Sequence, residues 1–525
     1  MSQQKDHERG RRRIDYAEAK RLAAQRKKPD DPGFEWGGLT LPSSAKNENF
    51  LYLGGMGSGK TVAMFALMEQ MLRNQKTRAV IHDFKMNIYP FLLKLGIDKS
   101  RIKMMNPYDL RSIGWDIQKD MTDKDVATDI AYAFVPPNPK AGSGKFFDDA
   151  AREVVKAAFL YFFYLSLERE EKNEERGGQG KEELPPIRWT LRDVLNLLRA
   201  DKEVMKAAFG QFDETRQVTE YLDRPNNEVI TTMLNHTRQF ESIAARWDGK
   251  ELQSLKDLRD SEEGKIVILG FDGERGETLQ ALNRLMLNRM IELVTTQTNP
   301  HPPETWFFLD EFGQIGRIPK FASRIATLRE YNGCVVVATQ SIGQIQDDEK
   351  GYGEKAASII TQELKNKWFG KCSEENSEWA SLAIGDAEVY EESEGEQLQA
   401  GKLSTSTQRG RKTKRLVMPT ELSSLHKASK EGGSEAFHIT ELISEAVYFH
   451  RLLPKHLPQV VTEPPIRDYQ RDERRRAGDL RPMTHEERER FRLTMEQVSE
   501  QEQSRENRRD DDDDDFIPTV KRGRR

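Results

Sequence analysis

Cysteine is almost missing from this chain: Cys334 and Cys372 are the only two among 525 residues. Two thiols make neither a disulfide framework nor a zinc pattern, and a reducing cytoplasm is the compartment they fit. Long apolar runs are missing too. The most apolar stretch, AAFLYFFYLSL at 157–167, is about half of the roughly twenty residues a bilayer-crossing helix needs, so it reads as a buried helix. Nothing before residue 50 is even moderately apolar, and neither a signal peptide nor an integral membrane segment is expected. Nor does one sign of charge dominate. With 82 basic and 87 acidic residues the net charge is −5, which excludes a blanket polyanion binder, so any DNA contact needs a local basic surface. The nine histidines, His450 and His456 among them, show no metal-ligand spacing.

What the chain does contain is GGMGSGKT, an unbroken match to the G-x-x-x-x-G-K-[ST] phosphate-binding loop formed by Gly54, Gly55, Met56, Gly57, Ser58, Gly59, Lys60 and Thr61. The short apolar run Phe50–Leu53 precedes it, and TVAMFALMEQML, apolar all round, follows. Strand, glycine loop and helix are the context the motif requires. Glycines let the main chain wrap a polyphosphate, N–H groups point inward, and the helix N-terminus adds partial positive charge. Lys60 would reach the β- and γ-phosphates of ATP, and Thr61 would place its hydroxyl on Mg2+.

A second element supports the first. WFFLDEFGQ, Trp306 to Gln314, is an apolar strand ending in adjacent carboxylates, and the C-terminal end of a parallel strand faces the ligand crevice. Asp310 can hold the magnesium, usually through its water, while Glu311 can deprotonate the attacking water. A passive nucleotide switch needs only the first acid, so Glu311 argues for hydrolysis. CVVVATQS, Cys334 to Ser341, is a further buried strand that ends at Gln340, a candidate γ-phosphate sensor. Between the two lies PKFASRIATLREYNG, with apolar Phe321, Ile325 and Leu328 at helical spacing. Arg324 and Arg329 flank that face, either as solvated arginines or as an arginine finger for a neighbouring subunit.

Alternating strands and helices predict an α/β fold with a mainly parallel sheet, split by an insertion. Five segments are expected: a basic flexible arm, 1–33; the first half of the nucleotide-binding domain, 34–145; an all-α insertion, 146–262; the second half, 263–465; and a charged, disordered C-terminal tail, 466–525, with six consecutive aspartates from Asp510. KNKWFGKC and EAVYFHRLL read as late strands of the second half. RGRKTKR at 409–415 is the densest internal basic cluster, a pore lining or a solvated loop, and GSGK at 142–145 is a candidate contact loop. The arm, with RGRRR and KRLAAQRKK, could touch DNA, lipid headgroups or nothing.

The stretch LDEFGQIGRIPKFASRIATLREYNGCVVVATQS resembles the TraG/TraD family of type IV secretion coupling proteins, the motor ATPases of conjugation. RIKMMNPYDLRSIGWDI at 101–117 is similar to the family's N-P-x-D segment, HDFK at 82–85 to its D-x-K element near the nucleotide, FFDDAAREVVKAAF at 146–159 to the start of its inserted helical domain, and RLVMPTEL at 415–422 to its late motif. The resemblance implies a RecA-like P-loop NTPase that binds ATP and Mg2+ and assembles as a ring, usually hexameric, with intersubunit sites. Arg329 rather than Arg324 matches the family's arginine finger. Implied partners are single- or double-stranded DNA, other copies of the chain, a secretion-channel component, and a relaxase or accessory protein recruited through the C-terminal tail. Members of the family usually begin with transmembrane helices, so this chain reads as a soluble, cytoplasmic variant, with any attachment to the inner membrane made through a partner or the basic N-terminal arm. A protein-loading ATPase of a secretion system, a DNA translocase or helicase without a secretion partner, and a non-hydrolysing adaptor stay open as alternatives, the last disfavoured by Glu311.

Overall fold

A computed structural model describes residues 7–137, 144–224, 227–271, 273, 276–399, 402–453, 458, 466 and 479–494. The chain divides into two compact units: 1–106 with 257–465, and 107–256 with 466–525.

The first unit is built on a ten-stranded sheet. Its strands in chain order are β1 Arg12–Ile14, β2 Phe50–Leu53, β3 Arg78–Asp83, β4 Ile102–Met104, β5 Ile266–Gly270, β6 Thr305–Leu309, β7 Gly333–Thr339, β8 Asn366–Phe369, β9 Ser434–Ile439 and β10 Ala446–Leu452. They lie in the order β1-β10-β9-β8-β2-β7-β6-β3-β5-β4. The run from β8 to β4 is parallel throughout, whereas β9 pairs antiparallel with both β8 and β10. β2, β3, β5, β6 and β7 are buried at every position, which is why β2, β5, β6 and β7 read as near-continuous apolar runs rather than alternating ones. Phe50, Tyr52, Ile81, Trp306, Phe308 and Val336 share one core with the helix Lys60–Leu72. Strand alternation sends Leu51, Val80, Phe307 and Val335 to the other face. The fold is RecA-like α/β, as expected.

The described part of the basic arm, 7–33, is folded, contrary to expectation. Arg12–Ile14 adds an edge strand parallel to β10, and Asp15 caps the helix Tyr16–Arg26, which buries Ala19 and Ala23. Several of its positive charges are paired: Arg26 with Glu445, and Arg13 with Glu421 at 2.7 Å. The cluster 409–415 is also a strand rather than a loop. Lys402–Arg415 pairs antiparallel with Asp386–Gln399, placing Arg409 opposite Glu392 and Thr413 opposite Glu388.

The second unit is nearly all helical. Its long helix Lys145–Gly178 buries Phe159, Tyr161 and Phe162, and Phe134 of the helix Lys124–Phe134 stacks on Phe240 of the helix Glu228–Trp247 at 3.9 Å. Residues 107–145, expected with the first half of the nucleotide domain, belong to this unit because the helix from Lys124 packs its apolar face there. AAFLYFFYLSL lies inside the long helix, and among the described residues no helix is long and apolar enough to cross a membrane. Residues 142 and 143 of the GSGK segment lie outside the described residues.

Part of the tail expected to be disordered is ordered. Thr484 and Glu487 form a capping box at the start of the helix His485–Arg490. Phe491 is 0 % exposed, edge-on to Phe162 at 5.1 Å, and its carbonyl accepts from the Tyr161 hydroxyl at 2.5 Å. Arg492 forks onto Glu168 with both bonds at 2.9 Å. Phe491 is the largest of the apolar side chains this segment buries, beside Met483 and Leu493, and burying a phenyl ring contributes roughly 2–3 kcal/mol. Residues 495–525, with the aspartate run, lie outside the described residues.

Candidate nucleotide site

All the site residues below belong to the first unit. The loop leaves β2 and enters the helix at Lys60, with Gly57 and Gly59 at φ +77° and +93°. A Cβ at Gly59 would lie 2.4 Å from Ser434 Oγ and 2.9 Å from Ala428 Cβ, so no other residue fits between loop and β9. Neighbouring strands hold the loop: Gly54 N–H donates to Thr339 O at 3.3 Å, Gly55 N–H to Lys371 O at 2.7 Å, and Ala428 N–H to Gly57 O at 2.8 Å. The N–H groups of Gly57, Gly59 and Lys60 have no backbone partner among the described residues, the donor set a phosphate uses at a helix N-terminus.

Asp310 and Glu311 stand at the C-terminal end of β6. Glu311 adopts φ +49°, a left-handed conformation that costs a residue with a Cβ about 1–2 kcal/mol. That bend turns the chain out of the strand and aims the carboxylate at the loop. Glu311 Oε1 accepts from Gln340 Nε2 at 2.7 Å and Lys85 Nζ at 2.9 Å, and lies 3.1 Å from Lys60 Nζ. Burial pushes the Glu311 carboxyl up, but Lys60 and Lys85 outweigh it and hold the group below its ordinary range. Asp310 is buried with neither carboxylate oxygen hydrogen-bonded, and its nearest cation is Lys85 Nζ, 3.4 Å from Oδ2. Burial raises its pKa. His82 Nδ1 lies 2.8 Å from the Asp310 carbonyl, which can only accept, so Nδ1 carries the proton. Burial lowers His82 to about 4 and keeps it neutral.

The structure thus converges Lys60, Thr61, Asp310, Glu311 and Gln340 from the ends of β2, β6 and β7. Gln340 is steadied by Asn376, whose Nδ2 donates to the Gln340 carbonyl at 2.8 Å. Arg329 is not brought to this cluster. It is exposed at the N-terminal end of β7, and that strand's seven residues, at about 3.3 Å each, separate it from Gln340 by roughly 20 Å. Arg324 bonds Asn288 at 3.0 Å.

Two features escaped sequence reasoning. The segment Ala428–Ser434, packed on the loop, carries only the pair of glycines Gly432 and Gly433 as a signal. Lys85, visible only through the D-x-K resemblance, lies 3.0 Å from Thr61 Oγ1 as well as against both carboxylates. Its partner in that motif has structural work instead: Asp83 accepts the backbone N–H groups of Asn87 and Ile88 at 3.1 and 3.0 Å, and burial raises it to about 6.

The residues fit a magnesium nucleotide. Free N–H donors and a buried lysine suit phosphates, and the Thr61 hydroxyl with the orphaned Asp310 carboxylate supplies hard oxygens for the cation. A phosphate loop on a mainly parallel sheet, facing two carboxylates and a glutamine, defines the RecA-like P-loop class. Within that class, residues 34–176 and 186–432 match the model described as the type IV secretion-system coupling protein DNA-binding domain, and the chain belongs to this family. It is 22 % identical over 370 residues to the coupling protein TraD of Escherichia coli strain K12, covering 69 % of this chain and 47 % of TraD, so it spans about half the length of that curated relative. The unbound bacterial conjugative coupling protein TrwBdeltaN70 superposes with a TM-score of 0.64 at 18 % identity, over 88 % of this chain and 96 % of that one. The plasmid coupling protein TrwB in complex with ADP and Mg2+ gives 0.62 at 18 % identity, over 88 % and 97 %. At that identity the likeness concerns the fold.

Proposed function

We propose that this chain is a Mg-dependent ATPase motor that couples DNA or nucleoprotein to a type IV secretion or conjugation apparatus, working as a ring with active sites between subunits. The convergence of Lys60, Thr61, Asp310, Glu311 and Gln340 in a chain of the coupling-protein family carries this reading. TrwB, of the same fold, has been seen with ADP and Mg2+ and with the ATP analogue ADPNP.

The loop N–H groups and Lys60 bind the phosphates. Thr61 and Asp310 would hold the magnesium, which when bound would offset negative charge on the phosphate oxygens. Once phosphates draw Lys60 away, Glu311 accepts the proton of the attacking water, and Gln340, braced by Asn376, orients toward the γ-phosphate. Arg329, remote from its own loop and exposed, completes a neighbouring subunit's site. The protein acts in the cytoplasm, reaching the membrane through a secretion-channel component, and the C-terminal tail, 466–525, recruits a relaxase or accessory protein.

The test is steady-state ATP hydrolysis by the purified full chain with and without single- and double-stranded DNA, beside Lys60→Ala and Glu311→Gln. Turnover stimulated by DNA and abolished in both variants is expected. Turnover indifferent to DNA would replace this reading with a protein-loading ATPase.

A further inference from the structure

One ammonium occupies the place where a divalent cation would bind. Lys85 Nζ lies 3.0 Å from Thr61 Oγ1, 2.9 Å from Glu311 Oε1 and 3.4 Å from Asp310 Oδ2. Thr61 and Asp310 are the residues with the oxygens a hard cation wants, so the ammonium and a metal compete for them. We infer that Lys85 is a built-in stand-in for the magnesium ion: it fills the cation position of the nucleotide-free site and must leave when a metal enters.

Two observations support exclusion rather than coexistence. The first is charge. Two lysines, Lys60 and Lys85, balance two carboxylates, Asp310 and Glu311, in a buried cluster, and a divalent cation added beside Lys85 would leave it strongly positive. The second is access. The Lys60 side chain is 5 % exposed and confined to the loop, whereas that of Lys85 is 34 % exposed and has an open route to solvent. Burial lowers the Lys85 pKa, but Asp310 and Glu311 outweigh it and keep the ammonium charged.

The consequence is a latch. While Lys85 is in place, Glu311 accepts from it and from Gln340 and also faces Lys60, so the carboxylate proposed to take the water's proton is engaged. Arrival of a metal–nucleotide complex removes both lysines from Glu311, one to the phosphates and one to solvent. A metal without a nucleotide competes with Lys85 unaided and binds weakly.

This inference rests on the loop being a metal–nucleotide site, and the experiment separates the two. Mn2+ binding to the nucleotide-free full chain is followed by electron paramagnetic resonance for wild type, Lys85→Met, Lys85→Gln and the double variant Lys85→Met with Asp310→Asn. Removing the competing charge should tighten Mn2+ binding roughly tenfold in both single variants, and loss of Asp310 should abolish the gain. By linkage, ADP should tighten Mn2+ binding less in Lys85→Met than in wild type. Equal or weaker Mn2+ binding in Lys85→Met and Lys85→Gln, with wild-type melting temperatures, would overturn the stand-in role and leave Lys85 an ordinary ion-pair partner. A gain that survives Asp310→Asn would overturn it too, because the metal would then sit elsewhere. ADP binding at saturating Mg2+, compared between wild type and Lys60→Ala, tests the loop separately: if ADP does not bind wild type, the nucleotide reading fails whatever the manganese titration shows.

Discussion

Glu311 faces three donors at once, and each has a different reason to be there. Gln340 ends a strand adjacent to the loop strand, Lys60 opens the loop's helix, and Lys85 follows β3. The left-handed backbone of Glu311 is what points the carboxylate among them. Replacing Glu311 by Gln removes a proton acceptor but keeps the length and one acceptor oxygen. Glu311→Gln should therefore retain ATP binding while turnover falls by about 10²–10⁴, read by equilibrium binding alongside steady-state hydrolysis. A binding loss as large as the rate loss would assign Glu311 to phosphate contact instead. The lesson of Asn376 is similar on a smaller scale. Its side chain accepts from Ile342 N–H at 3.0 Å while donating to Gln340 O, so it holds the turn after β7 rather than any ligand. Asn376→Ala should raise KM and lower kcat only modestly, a pattern kinetic assays separate from the Glu311 effect.

At the scale of elements, charged segments proved more ordered than their composition suggests. Residues 12–26 and 479–494 both alternate many charges with a few apolar side chains, and in both several charges find partners while Ile14, Ala19, Ala23 and Phe491 are buried. Phe491→Ala should destabilise the helical unit by about 3–5 kcal/mol, measured by hydrogen exchange or proteolysis of that unit. Truncation after Thr494 should leave the same unit as stable as in the full chain, whereas truncation after Ile466 should loosen it by an amount like that of Phe491→Ala. The Arg492–Glu168 contact adds a pH signature. Burial would raise the Glu168 carboxyl, but Arg492 and Lys172 outweigh it and hold it at about 2, against an ordinary 4.5. Its folded value is depressed, so this stabilisation is complete above about pH 4.5 and is lost as pH falls through about 2. Amide protection of 485–493 should weaken over that window in wild type and not in Glu168→Gln. Identical profiles would remove the ion pair from the account.

For the whole molecule the decisive residue is Arg329. It stands at the end of β7 opposite to the loop, exposed, so it cannot serve the phosphates bound by its own chain. If it completes a neighbour's site, Arg329→Ala keeps nucleotide binding and loses hydrolysis. Mixed with Lys60→Ala, it should recover part of the activity, because a ring of both chains contains interfaces that pair an intact Lys60 loop with an intact Arg329. An inactive mixture, with mixed oligomers demonstrated, would place the missing positive charge elsewhere. Arg324, bonded to Asn288 within its own chain, is the residue expected not to behave this way.

The amino-acid sequence by itself determined the class. GGMGSGKT, the strand ending in Asp310 and Glu311, and CVVVATQS are local patterns whose chemistry depends on backbone conformation and on apolar runs that can only be central strands. The parallel sheet, the helical insertion and the site's main residues were legible for that reason. Only the tertiary structure decided the rest. Lys85 on Thr61, Ala428 on Gly57, Arg26 on Glu445 and Phe491 on Phe162 join residues tens to hundreds of positions apart. Each charged or lone aromatic residue among them looks solvated in the chain, since one-dimensional composition records how many charges there are and not which of them meet. The sheet order and the docking of the terminal segments create those meetings, and burial then fixes whether a lysine or a carboxylate stays charged.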